Sequence, residues 1–180
     1  LGADVKPDPI MAETQRNLYD GVPMDEVYKA AVLAARTLIE KDPDYTFATA
    51  RLLFHTIAKE VFGRDVQPND MQQAYVDYFP GFIKKGVEND LLDERLMQYD
   101  LKRLAAALKA ERDLQFDYLG LQTLYDRYFL HVRKTRIELP QSFFMRVAMG
   151  LSLNEADREA RAIEFYEVLS SFDFMSSTPT

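Results

Sequence analysis

Apolar residues recur every three or four positions along most of the chain, and this period is typical of amphipathic helices. The clearest stripe lies between residues 44 and 63 and comprises Phe47, Ala50, Phe54, Ile57 and Val61. Gly63 follows it, and glycine often ends a helix because it tolerates a left-handed backbone. A second stripe predicts a helix that begins near Asp25 and stops before Pro43. The short link between the two predicts an antiparallel helix pair.

The rest of the chain also predicts helices, but shorter or interrupted ones. Residues 1–19 are expected to be an extended lead with a short helical turn near residues 11–18. A helix that opens at Pro68 is expected to kink or break at Pro80-Gly81, because proline lacks the backbone N–H that a helix interior needs. Further helical segments are predicted at residues 91–96, 102–110, 117–130, 142–152 and 155–172.

Two short segments favour strands instead. Residues 128–132 and 135–139 are rich in β-branched and aromatic residues, and Arg133-Lys134 between them would form the tip of a hairpin. Pro140 would end the second strand. The pattern as a whole predicts a mainly α fold, a multi-helix domain with one small β-hairpin.

Composition and charge narrow the classes of function. The chain carries 29 acidic and 22 basic side chains, and its net charge of −7 disfavours nucleic-acid binding, which needs clustered lysine and arginine. Hydrophobic residues make up 47% of the chain, as in an ordinary folded domain. The sequence has no apolar run long enough to span a membrane and no signal-peptide pattern. We expect a cytoplasmic protein, and the missing initiator methionine suggests a piece of a longer product.

Local motifs indicate no catalytic or metal site in this chain. It contains no cysteine, so thiol nucleophiles, disulfides and thiolate metal sites are excluded within it. The two histidines, His55 and His131, lie in no context that supports a catalytic triad or a metal site. The seven glycines are scattered and form no phosphate-binding loop.

Three polar features have both a structural and a binding interpretation. The basic run at residues 133–136 is typical of a solvated hairpin tip, although such a run can also contact phosphate. Lys59 lies near a helix end, where a cation complements the helix dipole. His55, next to an apolar residue on the same helix, is expected to be a satisfied core or boundary histidine.

Other polar residues are expected to brace the fold. Arg112-Asp113 and Asp126-Arg127 place opposite charges beside apolar segments, and a buried charge needs a partner. Glu138, Gln141 and Arg146 lie at the junction of two predicted elements. We expect these three side chains to form an internal hydrogen-bond bracket.

Several of these segments resemble one family, the large (α) subunit of class I ribonucleotide reductase. The matching motifs, in order, are Tyr19-Asp20-Gly21, Pro43-Asp44-Tyr45, Ala50-Arg51-Leu52, Gly120–Tyr128, Glu138–Gln141, Met145–Ala148, Ala162–Tyr166 and Ser177–Thr180. Each motif is weak alone, but the ordered set is specific. The resemblance spans residues 19 to 180.

The resemblance implies a helical N-terminal domain that leads into a ten-stranded α/β barrel. Residues 1–19 would be a remnant of an ATP-binding cone, residues 20–172 the helical domain, and residues 173–180 the start of the barrel. Members of the family form α–α homodimers and reduce ribonucleoside diphosphates by radical chemistry. A metal-containing β subunit supplies the radical, and thioredoxin or glutaredoxin recharges two cysteines. All cysteines would follow Thr180, so this chain is expected to hold no cofactor and to be inactive alone.

The resemblance also assigns roles to three residues. In the family, the segment matching Ser177–Thr180 contacts substrate, so Thr178 and Thr180 are candidate substrate contacts. A lysine at the position of Lys59 contacts the effector nucleotide, ATP or dATP. Met24 stands where relatives can carry a hydroxyl contact to that effector.

Two alternatives stay open. The chain would be a stand-alone helical regulatory or interaction module if it has a natural terminus near residue 180. It would belong to the adenosylcobalamin-dependent class of the same enzyme if the longer protein lacks a C-terminal tail that docks a β subunit.

Overall fold

The computed structural model describes residues 5–175 of the chain. Its helices are α1 (Pro7–Arg16), α2 (Met24–Leu38), α3 (Tyr45–Phe62), α4 (Met71–Glu88), α5 (Leu101–Ala107), α6 (Tyr118–Thr123), α7 (Pro140–Leu151) and α8 (Arg158–Ser170). Short 3₁₀ turns lie at Pro68–Asp70, Glu94–Gln98 and Ala110–Gln115, and a π-helical turn at Leu124–Tyr128. The strands are β1 (His131–Val132) and β2 (Thr135–Arg136). This architecture confirms the mainly α fold with a small hairpin.

The first of two compact units comprises the described residues of Leu1–Asp65 together with Leu114–Tyr128. Within it α2 packs on α3, α1 packs on α2, and α6 packs on α3. The buried residues of these two helices include Ala34 and Ala35 on α2 and Ile57 and Ala58 on α3, none of them more than 3% exposed. Alanines on both helices allow close approach, since the distance between helix axes depends on the side chains at the contact.

Local signals fix the ends of α2 and α3 as the sequence predicts. Pro23 precedes α2, whose first turn carries Asp25 and Glu26, and acidic side chains there complement the positive end of the helix dipole. α3 ends at Gly63, whose φ of 69° is left-handed and whose N–H donates to the carbonyl of Lys59 at 2.9 Å. These ends place the last turn of α3 next to the first turn of α2.

The second unit comprises Val66–Asp113 and the described residues of Phe129–Thr180. In it α7 packs on α8, and α4 contacts α5 and α7. α4 supplies a completely buried stripe of Tyr75, Phe79, Phe82 and Ile83. This stripe and the inner faces of α7 and α8 form the core of the unit.

Of the kink or break expected at Pro80-Gly81, the break is wrong, because α4 continues through it from Met71 to Glu88. A proline inside a helix costs about 3 kcal/mol relative to alanine. Phe79 and Phe82, on either side of it, are completely buried and their rings lie 6.0 Å apart. Fully burying side chains of this size contributes about 1.5–3 kcal/mol each, so packing of the stripe offsets the proline.

Other helices also differ from the prediction in extent. The expected turn near residues 11–18 is a ten-residue helix that begins at Pro7, which suits the first helical position because its missing N–H is not needed there. Pro140 likewise opens α7, two residues before the predicted start. The single helix expected at residues 117–130 is a short α6 followed by the π-helical turn. Such wider turns depend on packing, which residue spacing does not reveal.

The hairpin forms where it is predicted but is shorter. His131 pairs with Arg136 and Val132 with Thr135, so Arg133-Lys134 is its two-residue tip. Both tip residues are exposed, in agreement with a solvated basic run. The domain boundaries expected after residues 19 and 172 stay predictions. Within residues 5–175, none of the helices is both long and apolar enough to cross a membrane.

Candidate functional site

The clearest candidate site in the first unit surrounds Lys59, the residue assigned to effector binding. Lys59 lies in the last turn of α3, and its side chain is 34% exposed. Its ammonium donates a hydrogen bond to Oδ1 of Asp25, in the first turn of α2, at 3.0 Å. Asp25 is much more open to solvent, with 73% of its side chain exposed. The two ends of the α2–α3 pair are therefore joined by an ion pair at the surface.

An aromatic ring completes this arrangement. The ammonium of Lys59 lies 5.5 Å from the ring centroid of Tyr28, one turn beyond Asp25 on α2. The ring of His55, one turn before Lys59 on α3, lies 4.8 Å from the same ring at a 42° tilt. A cation over an aromatic face is held by the negative potential of the ring. Tyr28 thus has His55 and Lys59 as neighbours on α3.

His55 is a boundary residue, as expected, but it is not fully satisfied. Its side chain is 33% exposed, and Nε2 lies 3.7 Å from Oδ1 of Asp65, too far for a strong hydrogen bond. Its Nδ1 is buried and has no hydrogen-bond partner among the described residues. The neighbouring ring of Tyr28 packs against His55 at a 42° tilt.

The electrostatics keep Lys59 charged. The hydrogen bond to Asp25 raises the pKa of Lys59, and the charges of Asp25 and Asp65 add to this, while partial burial opposes it. An ammonium with three N–H donors is able to bind a phosphate oxygen or a carboxylate. In this structure the carboxylate of Asp25 takes that place.

Of the other residues that the resemblance names, only Met24 lies among the described residues. Met24, the first residue of α2, is 58% exposed and directly precedes Asp25. Thr178 and Thr180 lie outside the described residues. The structure brings Asp25, Tyr28 and His55 to Lys59, and the sequence alone indicated none of these contacts. The signal in the sequence is that acidic and aromatic residues lie near the start of the first predicted helix and near the end of the second, which an antiparallel pair brings together.

A second polar cluster lies inside the other unit, and sequence reasoning found only part of it. Asp113 is buried and accepts hydrogen bonds from the hydroxyl of Tyr75 and from Nε2 of Gln141, both at 2.7 Å. The hydroxyl of Tyr166 donates to Oε1 of Gln141 at 2.7 Å and accepts from the backbone N–H of Lys109 at 2.8 Å. The cluster thus links α4, α7, α8 and the turn that carries Asp113.

Burial dominates the protonation of this cluster. It raises the pKa of Asp113 to about 7, although the hydrogen bonds from Gln141 and Tyr75 act in the opposite direction. Burial also raises the pKa of Tyr166 to about 12 and that of Tyr75 well above its ordinary value. Both tyrosines stay protonated at neutral pH and act as donors. The cluster is a closed hydrogen-bond network inside a core, and we interpret it as structural.

The expected bracket of Glu138, Gln141 and Arg146 is only partly correct, because Glu138 pairs with Arg146 and Gln141 bonds to neither of them. Glu138 is completely buried, its Oε1 accepts from Nε of Arg146, and its Oε2 accepts from the backbone N–H of Leu130 at 2.8 Å. Burial raises the pKa of Glu138, and Arg146 opposes that rise. Gln141 instead joins the Asp113 cluster.

The first expected brace, at Arg112-Asp113, forms with partners far along the chain. Arg112 pairs with Glu167 on α8 at 2.5 Å. At the second, Asp126 accepts from Gln122 at 2.9 Å on an exposed surface. No group of three or more histidine, aspartate or glutamate side chains within residues 5–175 is arranged to hold a metal ion.

The family model and three relatives that match this chain carry the name of ribonucleotide reductase or of its subunit alpha. Residues 114–180 match the family model described as the all-alpha domain of ribonucleotide reductase. The chain is 47% identical over 164 residues to the ribonucleoside-diphosphate reductase subunit alpha of Chlamydia trachomatis, which covers 91% of this chain and 16% of that protein. With the subunit of the same name from Helicobacter pylori it shares 37% over 163 residues, 89% of the chain and 20% of that protein.

A viral relative extends the similarity over nearly the whole chain. The ribonucleoside-diphosphate reductase subunit alpha of Enterobacteria phage T4 is 28% identical over 182 aligned positions, covering 99% of the chain and 24% of that protein. The chain therefore spans about a fifth of the length of these curated relatives. Lys59 and its neighbours lie outside the matched region of the family model.

Proposed function

Because the chain belongs to the family of class I ribonucleotide reductase large (alpha) subunits, as part of their N-terminal region, we propose that the whole protein reduces ribonucleoside diphosphates to deoxyribonucleotides. The observation that carries this proposal is the 47% identity over 91% of the chain to a ribonucleoside-diphosphate reductase subunit alpha. On this proposal, the protein supplies deoxyribonucleotide precursors for DNA synthesis in the cytoplasm.

The absence of cysteine from this chain decides which reaction steps we propose for the rest of the protein. The reduction needs thiols, and this chain has no cysteine. The radical and reducing steps are therefore assigned to the rest of the protein, together with a metal-containing β subunit and a thioredoxin or glutaredoxin. A second α subunit is the proposed oligomeric partner. The described part of the chain contributes a packed helical scaffold and one surface site.

Lys59 is the proposed contact to an ATP or dATP effector. Its ammonium is charged, one third exposed and held beside the ring of Tyr28, so it combines a phosphate donor with an aromatic surface. Hydrogen bonds to charged groups contribute about 1.5–3 kcal/mol. Thr178 and Thr180 are the proposed substrate contacts, because hydroxyl groups bond to ribose or phosphate without adding charge.

A reductase assay tests the enzymatic part of the proposal. The 180-residue chain, mixed with CDP, a β subunit and reduced thioredoxin, is expected to form no dCDP, whereas the full-length gene product is expected to form it. Turnover by the 180-residue chain would contradict the division of labour, and an inactive full-length protein with an active β subunit would contradict the function.

Calorimetric titration tests the effector site. ATP or dATP is titrated into the 180-residue chain and into Lys59→Gln, which is expected to bind at least about tenfold more weakly, the factor that corresponds to 1.4 kcal/mol. Lys29→Gln is the matched control, because Lys29 is an exposed lysine of the same unit whose partner is Glu26. Equal affinities of Lys59→Gln and the unchanged chain would remove Lys59 from the site.

A further inference from the structure

We propose that Asp25 is an internal competitor for the anion that binds Lys59, and that it lowers the affinity of this site for nucleotide phosphate. The inference rests on the proposed effector role of Lys59 and concerns how that site is regulated. In the structure the carboxylate of Asp25 already lies at hydrogen-bond distance, 3.0 Å, from the ammonium. A phosphate oxygen that approaches Lys59 meets a negative charge in the same place.

The position of Asp25 suits a competitor that is able to leave. The residue lies in the first turn of α2, where the helix dipole favours a negative charge. Its side chain is 73% exposed, whereas that of Lys59 is 34% exposed, so the carboxylate is the more solvated partner. An exposed ion pair of this kind has a small net stability. Asp25 is therefore able to turn into solvent while Lys59 stays beside Tyr28.

The other carboxylates near Lys59 contact different residues, so Asp25 is the proposed competitor. Glu26, the next residue, pairs with Lys29 at 3.3 Å. Asp65 contributes a longer-range attraction to Lys59, but its carboxylate lies nearer to His55, with 3.7 Å between Oδ1 and Nε2. Among the described residues, Asp25 is the one carboxylate in an ion pair with Lys59. Removing its charge frees the ammonium without removing the lysine or the aromatic ring.

The test compares two substitutions that remove the same charge from the same helical turn. ATP, dATP and inorganic tripolyphosphate are titrated into the 180-residue chain and into Asp25→Asn and Glu26→Gln at low ionic strength. Asp25→Asn is expected to bind all three about twofold to fivefold more tightly, the range that corresponds to an exposed ion pair. Glu26→Gln changes the general charge but not the contact, so its affinity is expected to shift by less than that of Asp25→Asn.

A double-mutant cycle separates the contact from long-range charge effects. In the Lys59→Gln background, Asp25→Asn is expected to have no further effect, because its partner is gone. Equal gains in Asp25→Asn and Glu26→Gln, or a gain that persists without Lys59, would overturn the competitor role. Either result would leave the effector role of Lys59 intact if Lys59→Gln alone weakens binding. If Lys59→Gln binds like the unchanged chain, the proposed effector function itself fails.

Discussion

Asp113 offers the most quantitative test of how the second unit is stabilised. Its carboxyl group is buried against Tyr75 and Gln141, and this burial raises its pKa from 3.8 to about 7. The negative charge of nearby Glu111 acts in the same direction. A carboxyl group whose pKa is higher in the folded than in the unfolded chain binds its proton more tightly when folded. Its contribution to stability is complete below pH 3.8 and is lost as the pH rises through 7.

The size of the effect follows from the two pKa values. Each unit of difference corresponds to about 1.4 kcal/mol, and the full difference is reached only below the unfolded pKa. Between pH 5.5 and 8.5 the folded carboxyl group loses its proton, which lowers the free energy of unfolding by about 2 kcal/mol. Asparagine has nearly the shape of the protonated acid and does not titrate. The free energy of unfolding of Asp113→Asn, taken relative to that of the unchanged protein, should therefore rise by about 2 kcal/mol between pH 5.5 and 8.5.

Urea unfolding followed by circular dichroism measures this difference at intervals of half a pH unit. Asp77→Asn serves as the control, because Asp77 is an exposed carboxylate on α4 that accepts from Gln73 at 2.7 Å. Its free-energy difference is expected to stay almost constant. If the difference between Asp113→Asn and the unchanged protein is also constant, or changes in the opposite direction, Asp113 does not carry the proton.

Three further substitutions test packing and charge burial, and urea unfolding measures the free energy of unfolding of each. A Cβ at Gly86 would lie 2.5 Å from Cδ1 of Leu92, so Gly86→Ala should lose about 1 kcal/mol, while Gly81→Ala on the same helix, with open space, should gain up to about 1 kcal/mol. Equal effects would contradict the close contact. Arg146→Met leaves Glu138 buried without its cation and should cost about 3–5 kcal/mol, with a smaller loss at acidic pH; a loss independent of pH would mean that Glu138 is not charged.

The elements that the sequence predicts well are those with local causes. α2 and α3 have a long helical stripe, and Gly63 ends α3 with a left-handed φ of 69°. The hairpin tip at Arg133-Lys134 also follows from its flanking residues. Pro80 shows the limit, since its local preference against helix is real. Burial of Phe79 and Phe82 outweighs it, and that burial depends on residues far away in the chain.

For the polar clusters too, the sequence predicts contacts between nearby residues better than contacts between distant ones. Glu138 and Arg146 are eight positions apart across one element junction, and the sequence indicates their pairing. Asp113 meets Tyr75 across 38 positions and Gln141 across 28. A raised pKa results from complete desolvation, which requires every neighbouring element to be in place. Sequence spacing therefore identifies a polar bracket more readily than a buried, protonated acid.

The site around Lys59 combines both kinds of information. Resemblance to a family selects the lysine, because the motifs around it match in order. Its partner Asp25 lies 34 positions away and is recognisable only once α2 packs on α3. The affinity of such a site depends on the partner as well as on the lysine. An ammonium that is paired with a carboxylate attracts an incoming phosphate less strongly than a free ammonium does. On this proposal, the family resemblance indicates where an effector would bind, and the ion pair across α2 and α3 would determine how strongly.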